Sequence, residues 1–183
     1  MSAVPLDAES SNLFSDRGSL DACGACNGVS CCGRGGVIKA PFLSSHDVKT
    51  ISMKTGLRPE SFSDEVSNPH TGNTVRFLKA TTANGCHFLN AGRCGIHEFR
   101  PVDCRLFPLD VKKLEGELRW VIYNYEHCSL SERDQKVLLG QISAAKAALG
   151  AEILDYATVP TPGMAEMRYS MLSSVSEKTL TAA

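Results

Sequence analysis

The chain has 183 residues and a net charge of -1, from 19 basic and 20 acidic residues. These charges are mixed along the chain, so the sequence offers no broad positive surface for nucleic acid or anionic lipid. Its hydrophobic content of 43% is ordinary for a globular fold with one modest core.

The first 20 residues are polar and predict a mobile N-terminal arm. The segment from Met1 to Asp21 has neither the basic start nor the apolar core of a secretory signal. No later run reaches the ~18 uninterrupted apolar residues of a membrane helix. We therefore expect a cytoplasmic protein with reduced cysteines and no membrane partner.

The segment from Asp21 to Gly36 contains five glycines and four cysteines. Such a density of glycine excludes a stable helix or a long strand. The composition predicts an irregular loop that is shaped around a bound group.

Helices are predicted after this loop. Ser44 or Ser45 is placed to cap a helix that Gly56 ends. Pro59 suits the first position of a second short helix, which would bury Phe62 and Val66.

Short strands are predicted next. Thr74 to Lys79 partly alternates between polar and apolar residues, and Cys86 to Leu89 and Cys94 to Ile96 suit shorter strands. A hairpin is expected to pair 109–114 with 118–125 across a Glu-Gly turn.

The sequence pattern also predicts helices in the C-terminal third of the chain. Ser129 and Glu132 have capping-box spacing, and a helix is expected to follow them with one apolar face, formed by Leu138, Ile142, Ala145 and Leu149. A further amphipathic stretch over 164–175 predicts a helix that packs on the core.

Together these patterns predict an α+β fold: a small metal-centred single domain with short strands, irregular Cys-rich loops and packed helices. The expected organisation is a mobile arm over 1–20, a cysteine-cluster metal-binding domain over 21–150 and a helical extension over 151–183.

The eight cysteines are the most informative residues of the chain. Thiolates are good ligands for zinc and for the iron of iron–sulfur clusters, and in a reducing compartment they bind metal more often than they form disulfides. A thioredoxin-like exchange site at Cys23-Gly24-Ala25-Cys26 is disfavoured, because glycines and not a helix follow it.

The spacing of the cysteines departs from a simple zinc ribbon, which would have a second C-x2-C pair. The vicinal pair Cys31-Cys32 and the later single cysteines fit a larger cluster, or two sites built from intertwined loops. Spacing alone allows two four-thiolate sites, or one cluster with bystander cysteines.

The chain resembles the YkgJ-type cysteine-cluster (CxxCxxCC) family, whose domain is described as zinc- or iron-chelating. The resemblance rests on Cys23-x2-Cys26-x4-Cys31-Cys32, on Ser44-Ser45-His46-Asp47 and on the block from Cys86 to Pro108. It implies that the metal ligands are Cys23, Cys26, Cys31, Cys32, Cys86, Cys94, Cys104 and Cys128.

Other polar residues lie close to these cysteines in the sequence. His97 follows Cys94 at ligand-like spacing, although a lone histidine is more often hydrogen-bonded in place. Arg93, Arg100 and Arg105 could offset the negative charge of thiolates, or could pair with Glu98, Asp103 or Asp110.

Three functions remain open from the sequence. The first is an iron–sulfur or iron-binding protein that transfers electrons or assists a partner enzyme. The second is a structural zinc-binding interaction module, and the third is a metalloenzyme with an open metal site. We expect a protein partner or a redox enzyme and no nucleic acid.

Overall fold

The computed structural model describes residues 40–81, 85–90, 93–124, 130–160 and 168–172. The strands are β1 (Phe42–Leu43), β2 (Ser63–Ser67), β3 (Thr74–Leu78), β4 (Ala80–Thr81), β5 (Gly85–Cys86), β6 (Leu89–Asn90), β7 (Arg93–Cys94), β8 (Leu109–Leu114), β9 (Glu117–Tyr123) and β10 (Tyr169–Met171). The α-helices are α1 (Ser45–Thr55), α2 (Pro59–Phe62), α3 (Val102–Leu106), α4 (Glu132–Gly140), α5 (Ile142–Leu149) and α6 (Ile153–Thr158). Short 3-10 turns lie at His97–Phe99 and Gly150–Glu152.

The first sheet has the strand order β1-β3-β2, and both pairings are antiparallel. Phe42 pairs with Phe77 in the register of β1 and β3. The turn between β2 and β3 is closed by a 2.8 Å bond from the Asn68 N–H to the Asn73 carbonyl. The turn docks on α6, where the buried Asp155 carboxylate accepts bonds from the side chains of Asn68, Thr71 and Asn73.

The second sheet has the order β10-β9-β8 and is also antiparallel. The β8–β9 hairpin confirms the predicted pairing. Its turn places Glu115 at φ 52° and Gly116 at φ 88°, and two successive positive φ values are typical of the tight turns that fit the twist of a hairpin.

The helix α1 begins and ends where the sequence predicts. Ser44 is its N-cap and forms a capping box with Asp47, and Gly56 ends the helix in the left-handed conformation at φ 72°. The helix α4 begins two residues later than predicted, because Ser131 is its N-cap and forms a capping box with Asp134.

Two hydrophobic cores hold these elements. The larger core joins β1, β3, α3, the second sheet and the three C-terminal helices, with Phe42, Leu106, Leu109, Leu138 and Leu149 at its centre. The smaller core lies between α1, α2 and the short strands, and its buried members are Leu43, Ile51, Phe62, Leu78, Cys86 and Ile96.

The stretch Glu132–Thr158 is long and apolar enough, by length and composition, to qualify as a membrane-spanning candidate. In this fold it consists of α4, α5, a 3-10 turn and α6, and the chain turns at Gly150 with a φ of 50°. Its apolar side chains Leu138, Ala145, Leu149 and Tyr156 belong to the larger core.

The predicted α+β class is confirmed, with helices packed against small antiparallel sheets. Besides the start of α4, two local predictions are wrong. Val66 lies in β2 and is 43% exposed instead of buried in a helix, because the helix that starts at Pro59 ends at Phe62. Residues 169–171, within the predicted helix over 164–175, form the strand β10 on the edge of β9. The predicted Cys-rich loop over 21–36 lies outside the described residues.

Candidate metal centre

The structure places three of the eight predicted ligands. Cys86 lies on β5, Cys94 on β7 and Cys104 on α3, and none of the three is joined in a disulfide. The other five predicted ligands lie outside the described residues, namely Cys23, Cys26, Cys31, Cys32 and Cys128.

Cys86 has surroundings typical of a thiolate ligand. Its sulfur accepts hydrogen bonds from the backbone N–H groups of Phe88 and Leu89, which follow it in a tight turn. The side chain is buried in the smaller core with 8% exposure. Burial raises the pKa of the Cys86 thiol, and the two N–H groups oppose this increase because they stabilise the charged sulfur.

Cys94 is brought near Cys86 by the β6–β7 hairpin, which follows the strand that carries Cys86. In the β6–β7 pair Cys94 lies opposite Leu89, and the Gly95 N–H donates a 2.9 Å bond to the Phe88 carbonyl. The two thiols are close enough that Cys94 adds to the rise in the pKa of Cys86. Two thiolates in such proximity repel each other unless a cation lies near them.

Cys104 lies in the middle of α3, between Pro101 and Pro108. The guanidinium of Arg105 is near enough to Cys104 for a favourable electrostatic interaction. Among the residues that the structure describes, no three histidine, cysteine or acidic side chains gather into one metal-ligating group.

The arginines near the cysteines contact partners that the sequence did not indicate. Arg105 forms its ion pair with Asp47, with 3.8 Å between Nη2 and Oδ1. Arg100 places Nη1 2.5 Å from Nε2 of His97 and also donates to the His97 carbonyl at 3.3 Å. A metal at Nε2 of His97 would have to displace this guanidinium. Arg93 is exposed.

Asp47 connects α1 to α3. Its carboxylate accepts bonds from the Ser44 N–H at 3.0 Å and from the Ser44 hydroxyl at 2.7 Å. The Val102 N–H also donates to both carboxylate oxygens, at 3.2 and 3.3 Å. Burial raises the pKa of Asp47, whereas Ser44, Arg105 and Val102 act in the opposite direction.

Asp103 connects the opposite side of α3 to β1 and α6. Its carboxylate accepts a 2.8 Å bond from the Phe42 N–H and a 2.9 Å bond from the Tyr156 hydroxyl. Burial raises the pKa of Asp103 to about 7, and the nearby Asp110 carboxylate adds to this increase. Burial also raises the pKa of Tyr156 well above its ordinary value, so the phenol remains a donor.

Sequence reasoning missed these roles of Asp47 and Tyr156. The capping-box spacing of Ser44 and Asp47 was visible, but the contact with Val102 joins positions 55 apart in the sequence. For Tyr156 we find no local signal in the sequence.

The described cysteines fit a metal in their donor chemistry. Cys86 carries a buried sulfur that accepts two N–H bonds, which oppose the rise that burial causes in its pKa, and Cys94 supplies a second thiol near it. Zinc and iron are the metals that prefer such soft sulfur ligands. The fold and these thiols are those expected of a small α+β metal-binding domain.

Comparison with known families gives a specific assignment. The CxxCxxCC family, described as "Putative zinc- or iron-chelating domain", matches residues 22–130. The chain therefore belongs to this family, as its sequence resemblance indicates, and the family's description matches the predicted metal, iron or zinc. No significant match was found among curated proteins or among solved structures.

Proposed function

We propose that this protein binds an iron–sulfur cluster or iron through its cysteines and acts in electron transfer or as an accessory to a partner enzyme. The observation that carries the metal-binding part is the Cys86 sulfur, which accepts N–H bonds from Phe88 and Leu89. Such bonds stabilise a charged sulfur ligand and orient it toward a cation.

Iron is favoured by the pattern of the ligands. The vicinal pair Cys31-Cys32 and the single cysteines Cys86, Cys94 and Cys104 differ from the paired C-x2-C motifs of zinc ribbons. When bound, an iron–sulfur cluster supplies one-electron redox chemistry, and its potential depends on burial and on hydrogen bonds to sulfur. Cys86 combines both influences, since it is buried and hydrogen-bonded.

The charges around α3 support the same proposal. Several thiolates around one metal centre leave excess negative charge, and Arg105 brings a largely buried cation close to Cys104. We also propose a cytoplasmic location, where Cys86, Cys94 and Cys104 would remain reduced.

A structural zinc site is the alternative, and the smaller core favours it. This core has few buried side chains, and Cys86 is one of them, with Cys94 packed against it. A metal bound by these thiols would add to the stability of this small core. In this case the domain would serve as an interaction module.

The deciding experiment is to measure the metal and sulfide content of protein purified without oxygen. Iron with acid-labile sulfide, together with visible absorption that bleaches on reduction, would support an iron–sulfur cluster. Iron without sulfide would support an iron site, and zinc in a simple ratio to protein would replace our proposal with the structural alternative. Protein that contains neither metal would overturn both.

Cys86→Ala and Ile96→Val form a matched pair for the measurement of metal content. Both shrink a buried side chain of the smaller core, but only Cys86→Ala removes a sulfur. We expect Cys86→Ala to lose metal and Ile96→Val to keep it, with a stability cost of about 0.5–1.5 kcal/mol for Ile96→Val. Equal metal content in the two variants would exclude Cys86 as a ligand.

A further inference from the structure

We propose that Asp47 is a positioning residue of the metal centre, which holds Cys104 in place from a different helix. This inference rests on the proposed metal binding, and it concerns how one ligand is oriented. The Asp47 carboxylate contacts the chain on both sides of Cys104, through the Val102 N–H and the Arg105 guanidinium.

The first contact replaces a missing helix cap. The N-cap of α3 is Pro101, which supplies no side-chain hydrogen bond to the first turn. The free N–H groups at a helix start need acceptors, and in α3 Asp47 accepts from Val102 across the fold. A helix of five residues has little stability of its own, so the position of Cys104 depends on such contacts.

The second contact positions the positive charge of Arg105 beside the sulfur of Cys104. Asp47 Oδ1 lies 3.8 Å from Arg105 Nη2, and Arg105 also interacts with Cys104. The carboxylate thus fixes where the guanidinium lies relative to the sulfur. Groups that orient ligands in this way typically change metal affinity by about 10- to 100-fold when they are mutated.

Asp47 itself is held rigidly. It is 2% exposed and is anchored by the capping box with Ser44 at the start of α1. The N-terminus of α1 is fixed further, because the Glu152 side chain accepts a 2.9 Å bond from the Ser45 N–H. The support for Cys104 is therefore built on a long helix and not on a loop, as precise sites require.

The test compares Asp47→Asn with Asp155→Asn. Both replace a buried, hydrogen-bonded carboxylate by an amide of the same shape, but Asp155 binds the β2–β3 turn and not α3. The proteins are purified without oxygen, their iron and zinc are quantified, and the rate of metal loss to excess EDTA is measured. We expect Asp47→Asn to lose metal at least about tenfold faster than the wild type, and Asp155→Asn to stay within about threefold.

A double-mutant cycle with Cys104→Ser shows whether Asp47 acts through the ligand. If it does, Asp47→Asn accelerates metal loss in the wild-type background but causes no further acceleration when Cys104 is already serine. The same acceleration in both backgrounds would overturn the proposal, because it would indicate a general loss of stability.

The thiolate-to-metal charge-transfer absorption gives a second readout. It is recorded on the iron form if iron is present, or after Co²⁺ substitution if the metal is zinc. Asp47→Asn should alter this band, whereas Asp155→Asn should keep the wild-type spectrum. An unchanged spectrum in Asp47→Asn would count against a role in positioning sulfur.

A variant that does not fold has a substitute in the same contact. If Asp47→Asn does not fold, Ser44→Ala takes its place, because it keeps the carboxylate and removes the hydroxyl that orients it. The effect of Ser44→Ala on metal loss must then be absent when Cys104 is already serine.

Wild-type protein without iron or zinc would overturn the proposed function together with this inference. Retention of metal by Asp47→Asn as well as by the wild type would overturn the inference alone.

Discussion

The hydroxyl of Tyr156 donates a 2.9 Å hydrogen bond to Oδ1 of Asp103, the residue immediately before Cys104. Tyr156 lies on α6 and Asp103 on α3, and both side chains are buried. The bond thus joins a C-terminal helix to the helix that carries a predicted ligand. It also supplies one of the donors that a buried carboxyl group requires.

Tyr156→Phe should destabilise the fold. The change removes the hydroxyl and leaves Asp103 with fewer hydrogen bonds in a buried site, and we expect a loss of about 1–3 kcal/mol in the free energy of unfolding. Urea unfolding followed by circular dichroism measures this loss. Tyr169→Phe is the control, because Tyr169 is 38% exposed, and it should change stability by less than about 0.5 kcal/mol. Similar values for the two variants would contradict the importance of the Asp103 bond.

Ser131→Ala should weaken the start of α4. The Ser131 hydroxyl accepts the Asp134 N–H at 3.1 Å, and loss of such a cap costs about 0.5–2 kcal/mol. The matched change is Ser143→Ala, at an exposed position inside α5, where alanine is the better helix former. We expect thermal unfolding to shift downward for Ser131→Ala and slightly upward for Ser143→Ala. A downward shift of the same size in both would rule out the capping role.

Much of the local structure could be predicted, because it depends on residues that are neighbours in the sequence. The cap at Ser44, the end of α1 at Gly56 and the β8–β9 hairpin follow from such short-range signals. The start of α4 shows the limit of this reasoning, because serines at 129 and 131 each precede an acidic residue by three positions. The bonds formed by Ser131 decide between the two alternatives.

The candidate site was predicted less completely, for a different reason. The residue types of the predicted ligands were visible in the sequence, and the structure brings Cys86 on β5 near Cys94 on the β6–β7 hairpin. The support of Cys104 depends on contacts between distant elements, such as the bond from Val102 to Asp47. Periodicity and spacing carry no information on such contacts. The strand over 169–171 was missed likewise, because its formation depends on pairing with β9.

Gly116→Ala and Gly140→Ala should have opposite effects on stability. Gly116 has a φ of 88°, in the left-handed region where a side chain is strained, whereas Gly140 ends α4 with open space around it. We expect Gly116→Ala to destabilise the β8–β9 hairpin by about 1 kcal/mol or more, and Gly140→Ala to stabilise the chain by about 0.4–1 kcal/mol. Chemical denaturation of both variants checks the sign, and destabilisation by both would contradict this account.

Leu106→Ala should be among the most damaging substitutions in α3. Leu106 is fully buried in the larger core, and a cavity at such a position costs about 2–5 kcal/mol. Met53→Ala on α1 is the control, since Met53 is 72% exposed and its truncation should cost less than about 0.5 kcal/mol. The midpoint of urea unfolding should fall clearly for Leu106→Ala and remain nearly unchanged for Met53→Ala. A small effect of Leu106→Ala would mean that α3 does not depend on the core for its position.

The short segment between Cys86 and Cys94 bears on how the site would assemble during folding. The two thiols are eight positions apart, so a short local turn brings them together at a small cost in chain entropy. The support for Cys104 requires Asp47 and Val102 to meet across a separation of 55 positions, and this contact closes a much longer loop. If these cysteines bind the metal as proposed, we therefore expect the first pair of thiols to capture it while the rest of the domain is still folding, and Cys104 to join the centre later.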